Sequence, residues 1–462
     1  MFPNGILAGT FNQSSGGGGN GGGGMMGTFG GASSATTLIG GGFGVNNSTR
    51  VGNLFIENQN NLYLYTSEVA SGDNVFYSTN AGTGWSQASY SGSNNDVEQT
   101  KTAMAFKDNL RYWIIGGSGS VAGTSSTYVN SSNPVLLRSS NPVTGAWRHN
   151  TVGGQNSGTQ IHANAYRYGS TNYFTPQTIK VIPDGQDNGI DQFIFLIFGY
   201  EVVSGGYKHG IFRKRSANLD ENAFFTKVYQ MSTSTTSIDP GNFNNNNNHS
   251  PYAIEHSGNN IYARYNIPAS NNVVPNATVW YSSNKGVSFT ALSLASDIGS
   301  TEIFHNGAGT DGTNWLFTTT ADNSASNSDA GKYIYYSGGT ATKYDLTSLA
   351  NNTNPNNTSI KLPWFGVKYL NGLWFLLNSN GRIVYTDDPT DTSSWTLALY
   401  NQRGDGGSFS ADAALGNGAN TPNGYMAFES DGNSKLHYVA REFSSIGGTT
   451  TNRINHYIIT VT

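Results

Sequence analysis

From about residue 50 onward, short apolar runs recur, each preceded by a pair of turn-forming polar residues. Asn60-Asn61 leads into the run 62–65, Asp108-Asn109 into 112–115, Asn188-Gly189 into 193–196 and Asn259-Asn260 into 261–263. Asp311-Gly312 leads into 315–317, Asn371-Gly372 into 373–376 and Asn423-Gly424 into 425–428. The runs are short and rich in aromatic and β-branched residues, which predicts strands. Asn, Asp and Gly pairs ahead of such runs predict tight hairpin turns. The seven recurrences lie between residues 60 and 423, a period of about 60 residues, longer than the roughly 40–50 of compact propeller repeats, and the excess is loop.

A second hairpin follows each of these turns. Two hairpins per period make four strands, and seven such sheets set radially predict an all-β, seven-bladed β-propeller with almost no helix. Six blades is the alternative, because the unit between about 160 and 230 is irregular. The strand frame opens near Val51–Ile56 and closes near His456–Val461. Each blade is therefore expected to own all its strands, with closure by blade-to-blade packing.

The second hairpin carries a recurring unit. Phe76-Tyr77-Ser78-Thr79-Asn80-Ala81-Gly82-Thr83-Gly84-Trp85 has a close copy in Trp280-Tyr281-Ser282-Ser283-Asn284-Lys285-Gly286-Val287-Ser288-Phe289. Looser versions run from Leu137 to Trp147 and from Val384 to Trp395. The pattern resembles the Asp-box (BNR) repeat of sialidase-like β-propellers, with Asn80 and Asn284 where that repeat has Asp. An Asn side-chain oxygen also accepts backbone N–H bonds across a turn, and Gly82 and Gly286 suit a positive φ. The resemblance implies a folding device: Ser78, Asn80, Gly82 and Trp85, with Ser282, Asn284, Gly286 and Phe289, are structural turn residues. Trp85 and Phe289 are expected to be buried beside their turns.

Composition separates the N-terminus from the rest. Residues 1–45 form a Gly-rich arm, and 46–462 form the propeller. A nine-residue tract, Gly16 to Gly24, is glycine except for Asn20, and apolar residues bracket it: Phe2, Ile6, Leu7 and Phe11 before, Met25, Met26 and Phe29 after. A disordered tail is one reading. An anchoring arm whose apolar ends bury in a partner is the other. The chain of 462 residues has 59 Gly, 11% charged residues, net charge -4 and no cysteine. That excludes disulfides, thiolate metal sites and a nucleic-acid footprint. No apolar run approaches the roughly 18 residues of a membrane span, and Met1 to Leu7 shows no secretory signal.

Candidate chemistry is sparse. The sialidase-like resemblance implies an arginine triad, a Tyr/Glu pair and an Arg-Ile-Pro motif, but the nearest match to that motif is Arg50-Val51-Gly52. Arg111, Arg138, Arg264 and Arg382 are scattered. Asp184 to Asp191 has the look of a calcium loop, but Gln186 stands at a ligand position and no acidic residue closes it, so a plain hairpin turn is the primary reading. The eight histidines show no paired spacing. No catalytic residue, metal site or cofactor is assigned, and no activity on common glycans is expected.

In overall composition the chain resembles tailed-bacteriophage virion structural proteins. That resemblance implies a tail or adsorption-apparatus component in many symmetric copies, held to other virion proteins through residues 1–45, with the propeller free to bind a host surface glycan or protein. A capsid decoration or head-fibre protein is one alternative. A secreted, extracellular carbohydrate-active propeller enzyme is the other.

Overall fold

The computed structural model describes residues 29–32, 36–39, 50–67, 74–88, 90–91, 104–116, 135–144, 147–149, 167–168, 172–203, 206–219, 224–230, 252–265, 278–294, 302–321, 331–349, 364–378, 383–399, 426–446 and 449–462. Every regular element among them is a β-strand. Antiparallel meanders of four strands in chain order form at 50–87, 175–230, 252–293, 302–345 and 364–399. The sheet at 426–461 has three strands of its own and takes its outer edge from Phe29–Ala32 and Thr36–Ile39, both antiparallel to Thr449–Val461. These six sheets are wholly antiparallel. The sheet at 104–149 is also a four-strand meander, but it carries a parallel fifth strand, Tyr90–Ser91 against Trp147–His149.

First strands pack on first strands in the order Arg50–Ile56, Met104–Lys107, Thr175–Asp187, Tyr252–Ser257, Glu302–Thr310, Trp364–Leu370, Met426–Ser430, and back to Arg50–Ile56. The sheets therefore stand radially around an axis lined by their first strands, as in a β-propeller. Six blades are regular, the alternative count from the sequence and not the expected seven, because the unit at 104–149 departs from the wholly antiparallel pattern by taking a parallel fifth strand. The irregular unit is thus 104–149. The stretch near 175–230, expected to be irregular, holds some of the longest strands, because Phe193–Phe198 is one continuous apolar run buried on both faces.

Closure differs from the sequence expectation. The last blade does not own all its strands: residues 29–39 supply its outer edge, with Phe29 opposite Val461 and Thr36 opposite His456. Only a weak apolar alternation marks this stretch, and a strand that completes a sheet at the far end of the chain leaves no local signal. Phe2, Ile6, Leu7, Phe11, Met25 and Met26 lie outside the described residues.

Apolar clusters fill six of the interfaces between neighbouring blades, and Trp113, Trp280, Trp364 and Trp374 are buried within them. Each blade so covers its neighbour's face, at about 25 cal/mol for every Å² of apolar surface removed from water. The interface between 50–87 and 104–149 is polar among the described residues. There Glu57 accepts bonds from Lys107 Nζ (2.6 Å), Tyr112 Oη (2.7 Å) and Tyr63 Oη (3.0 Å).

Candidate functional site

A four-strand meander turns twice on one face and, through its middle turn and its link to the next blade, twice on the other. In this chain the two faces are unequal. On one, strands join through tight turns such as 188–189, 258–259, 338–339 and 371–372. On the other, 204–205 and 447–448 are short, but the connections also include 92–103, 117–134, 150–166, 231–251, 266–277, 322–331, 350–363 and 400–425. The first strands start at this long-connection face, and three of them start with Arg50, Tyr252 and Glu302. These three positions therefore share one end of the axis by strand register.

The box-like turns belong to the tight-turn face. Ser78 donates to Asn80 Oδ1 (2.8 Å), Gly82 N–H donates to Ser78 Oγ (2.8 Å), and Gly84 N–H donates to Asn80 Oδ1 (2.9 Å). The copy repeats the set: Ser282 donates to Asn284 Oδ1 (2.8 Å), and Gly286 and Ser288 N–H groups donate to Ser282 Oγ (2.9 Å) and Asn284 Oδ1 (3.0 Å). Each box also ties to the neighbouring hairpin, through Ala81 N–H on Asn60 O and Lys285 N–H on Asn259 O, both 2.9 Å. Gly82 and Gly286 have φ of 83° and 77°. Each wedges against the preceding blade, where a Cβ would come within 2.1 Å of His456 Cε1 or 2.8 Å of Leu196 Cδ2. Trp85 and Phe289 are half-buried rather than fully covered, each packed at the edge of an apolar cluster.

Deeper along the axis the first strands carry ion pairs between blades. Lys180 Nζ meets Glu255 at 3.0 Å and Lys368 Nζ meets Glu429 at 2.9 Å. Burial works against the Lys368 ammonium, but Glu429 and Glu255 together raise its pKa, so Glu255 is felt across the axis. His256, buried beside this set, is pushed down to about 3 by burial and by the Lys180 charge. The four charged groups neutralise one another below the rim, so they are inter-blade ion pairs rather than a reactive pair.

The Glu57 cluster is the other Tyr/Glu arrangement. Burial opposes ionisation of Glu57, yet the bonds from Lys107, Tyr112 and Tyr63 hold its pKa below the usual range. Burial and the ionised Glu57 raise the Tyr112 pKa. A phenol made harder to ionise is the opposite of an activated nucleophile, and the cluster serves as a polar joint between blades.

Asp184 to Asp191 is a hairpin. Asp184 accepts from Arg215 Nε and Lys285 Nζ, both at 2.5 Å, and Asp187 accepts from Arg215 Nη1 at 2.6 Å. Gln186 donates to Asp191 Oδ1 (2.7 Å). The carboxylates a cation would need are engaged by the chain's own cations. Among the described residues no group of three or more His, Asp or Glu could hold a metal ion.

Sequence spacing missed one pair. His437 and His456 are stacked and buried, with 2.9 Å between Nδ1 and Nε2, and His456 Nδ1 reaches Gly82 O at 3.2 Å. They sit on adjacent strands, with His456 opposite Val439, so only the register of the sheet brings them together.

No family model matches the chain, and no curated protein matches it in sequence. Solved structures match in fold. The polysaccharide lyase Uly1 aligns over 88% of this chain and 89% of its own, with a TM-score of 0.52 and 11% identity. Sqt1 of Saccharomyces cerevisiae aligns over 87% and 81%, with a TM-score of 0.41 and 8% identity. A Trypanosoma rangeli sialidase aligns over 89% of this chain and 53% of its own, with a TM-score of 0.36 and 13% identity. The likeness to the lyase shows the β-propeller fold.

These matches correct the expectation of a non-enzymatic phage virion component. A solved structure sharing the fold over nearly the whole of both chains is a polysaccharide lyase, and it is not a virion protein. The physical reason is that low charge and abundant Gly, Asn, Ser and Thr are what many short strands and long polar connections require. That composition reports the architecture and not where the protein works.

Proposed function

We propose that the chain is a carbohydrate-active β-propeller enzyme that acts on a polysaccharide at the face of the long connections. The segregation of chain length carries this reading: connections on one face run to nine residues at most, while every longer one lies on the other. Loops on a rigid scaffold are where binding and catalysis concentrate. At the rim of that face, by strand position alone, we assign Glu302 as the proton-transferring carboxylate, Tyr252 on the preceding blade as its phenolic partner, and Arg50 across the axis as the group that holds an anionic substituent of the sugar. The polysaccharide lyase among the similar structures supports the substrate class.

The test is turnover of a panel of neutral and uronate-containing polysaccharides by the purified protein, read both as new reducing ends and as the ultraviolet absorbance of unsaturated products. Glu302→Gln should lower the rate by about 10²–10⁴, the range for loss of general acid–base catalysis, with an unchanged melting temperature. No turnover of any member, or full activity in Glu302→Gln, overturns the reading.

A further inference from the structure

We infer that the tight-turn face carries a docking site for the chain's own N-terminal segment, residues 1–28. Large apolar side chains are seldom exposed here. Among the described residues there are five: Leu110, Ile190, Phe224, Val287 and Leu397. Three of these stand on turns of three consecutive blades, with Leu110 57%, Ile190 54% and Val287 56% exposed, and Phe224 lies in the connection 217–225 on the same face. Hydrogen bonds knit these turns into one surface. Asn109 Nδ2 donates to Asp191 O (2.7 Å) and Ala217 O (3.1 Å), and Lys285 reaches Asp184. A solvated turn gains nothing from an exposed aliphatic tip, and exposed apolar groups on one bonded surface mark interaction sites.

Chain geometry selects the occupant. Phe29 pairs with Val461, whose N–H donates to Ser434 O in the tight turn 431–434 at 2.7 Å. Phe29 therefore stands at the tight-turn end of its strand, on the face that bears the patch. Residues 1–28 span at most about 100 Å when extended, against an overall diameter on the order of 60 Å for a compact chain of this length. Phe2, Ile6, Leu7 and Phe11 lie beyond the glycine tract, which serves as the tether across the face. Intramolecular attachment gives the segment a high effective concentration at the patch.

The chain has no cysteine, so introduced thiols are unique. Leu7→Cys with Val287→Cys, treated with a short bismaleimide, should crosslink within one chain. Leu7→Cys with Leu397→Cys, exposed on the outer strand of another blade, should not. Mixing isotopically heavy and light copies separates crosslinks within a chain from crosslinks between copies. A second arm uses the full chain carrying Val287→Cys alone, with and without Phe2, Ile6, Leu7 and Phe11 all changed to Ser. The four serine changes should let the introduced thiol react with maleimide about tenfold faster, as release of a ten-to-one docking equilibrium requires. Crosslinks only between copies, equal crosslinking of the two pairs, or an unchanged labelling rate overturns the inference.

Discussion

At the scale of single residues, the box turns and the buried histidines make separable claims. Asn284 closes a turn by accepting from Ser282 Oγ and Ser288 N–H. Asn284→Ala should therefore cost about 1–2 kcal/mol in urea denaturation, the usual range for losing such bonds, and leave polysaccharide turnover unchanged because the turn lies on the opposite face. His256, His437 and His456 are pushed by burial to about 3, 3 and 4. Each is neutral when folded and has an ordinary pKa near 6.5 when unfolded, so the unfolded chain binds more protons below that pH. Their stabilising contribution is complete above about pH 6.5 and is lost as pH falls toward the folded values. Three such groups give a slope of up to about 4 kcal/mol per pH unit. Melting temperature should fall steeply between pH 6.5 and 4.5, above the range where ordinary carboxylates titrate. A flat profile there would show that the three rings are not held neutral.

At the scale of elements, local chemistry was legible and long-range pairing was not. The turn pairs at Asn188-Gly189 and Asn371-Gly372 fall where the chain takes positive φ at both residues, because short hairpins demand that backbone and few residues tolerate it. The box turns were readable for the same reason: serine, asparagine and glycine act within a few positions of one another. The outer edge of the last blade was not, since Thr36 pairs with His456 across almost the whole chain. The histidine pair and the Lys–Glu pairs between blades are equally invisible to spacing. Pairing by residues 29–39 should protect the last blade. Thr36→Pro with Thr37→Pro, which removes two N–H groups from that edge, should speed amide exchange across 454–461 and lower stability by about 1–3 kcal/mol. Unchanged exchange there would place closure elsewhere.

At the scale of the whole molecule, the propeller is a ring of blades that bury one another's faces, with a polar joint at Glu57 and ion pairs between blades at Lys180–Glu255 and Lys368–Glu429. Recurring turns foretold that architecture, but the rim of Arg50, Tyr252 and Glu302 could not be read before the strands were placed, because these residues come from three different blades. The inequality of the two faces follows from the same placement, and it is the basis for locating the activity. Amide hydrogen exchange measures it most directly, using Glu302→Gln saturated with the panel polysaccharide that the native protein turns over. The account predicts protection at the starts of the inner strands, around 50–53, 252–255 and 302–305, and in the long connections, with the turns at 188–189, 258–259 and 371–372 unchanged. Protection confined to those tight turns would contradict it.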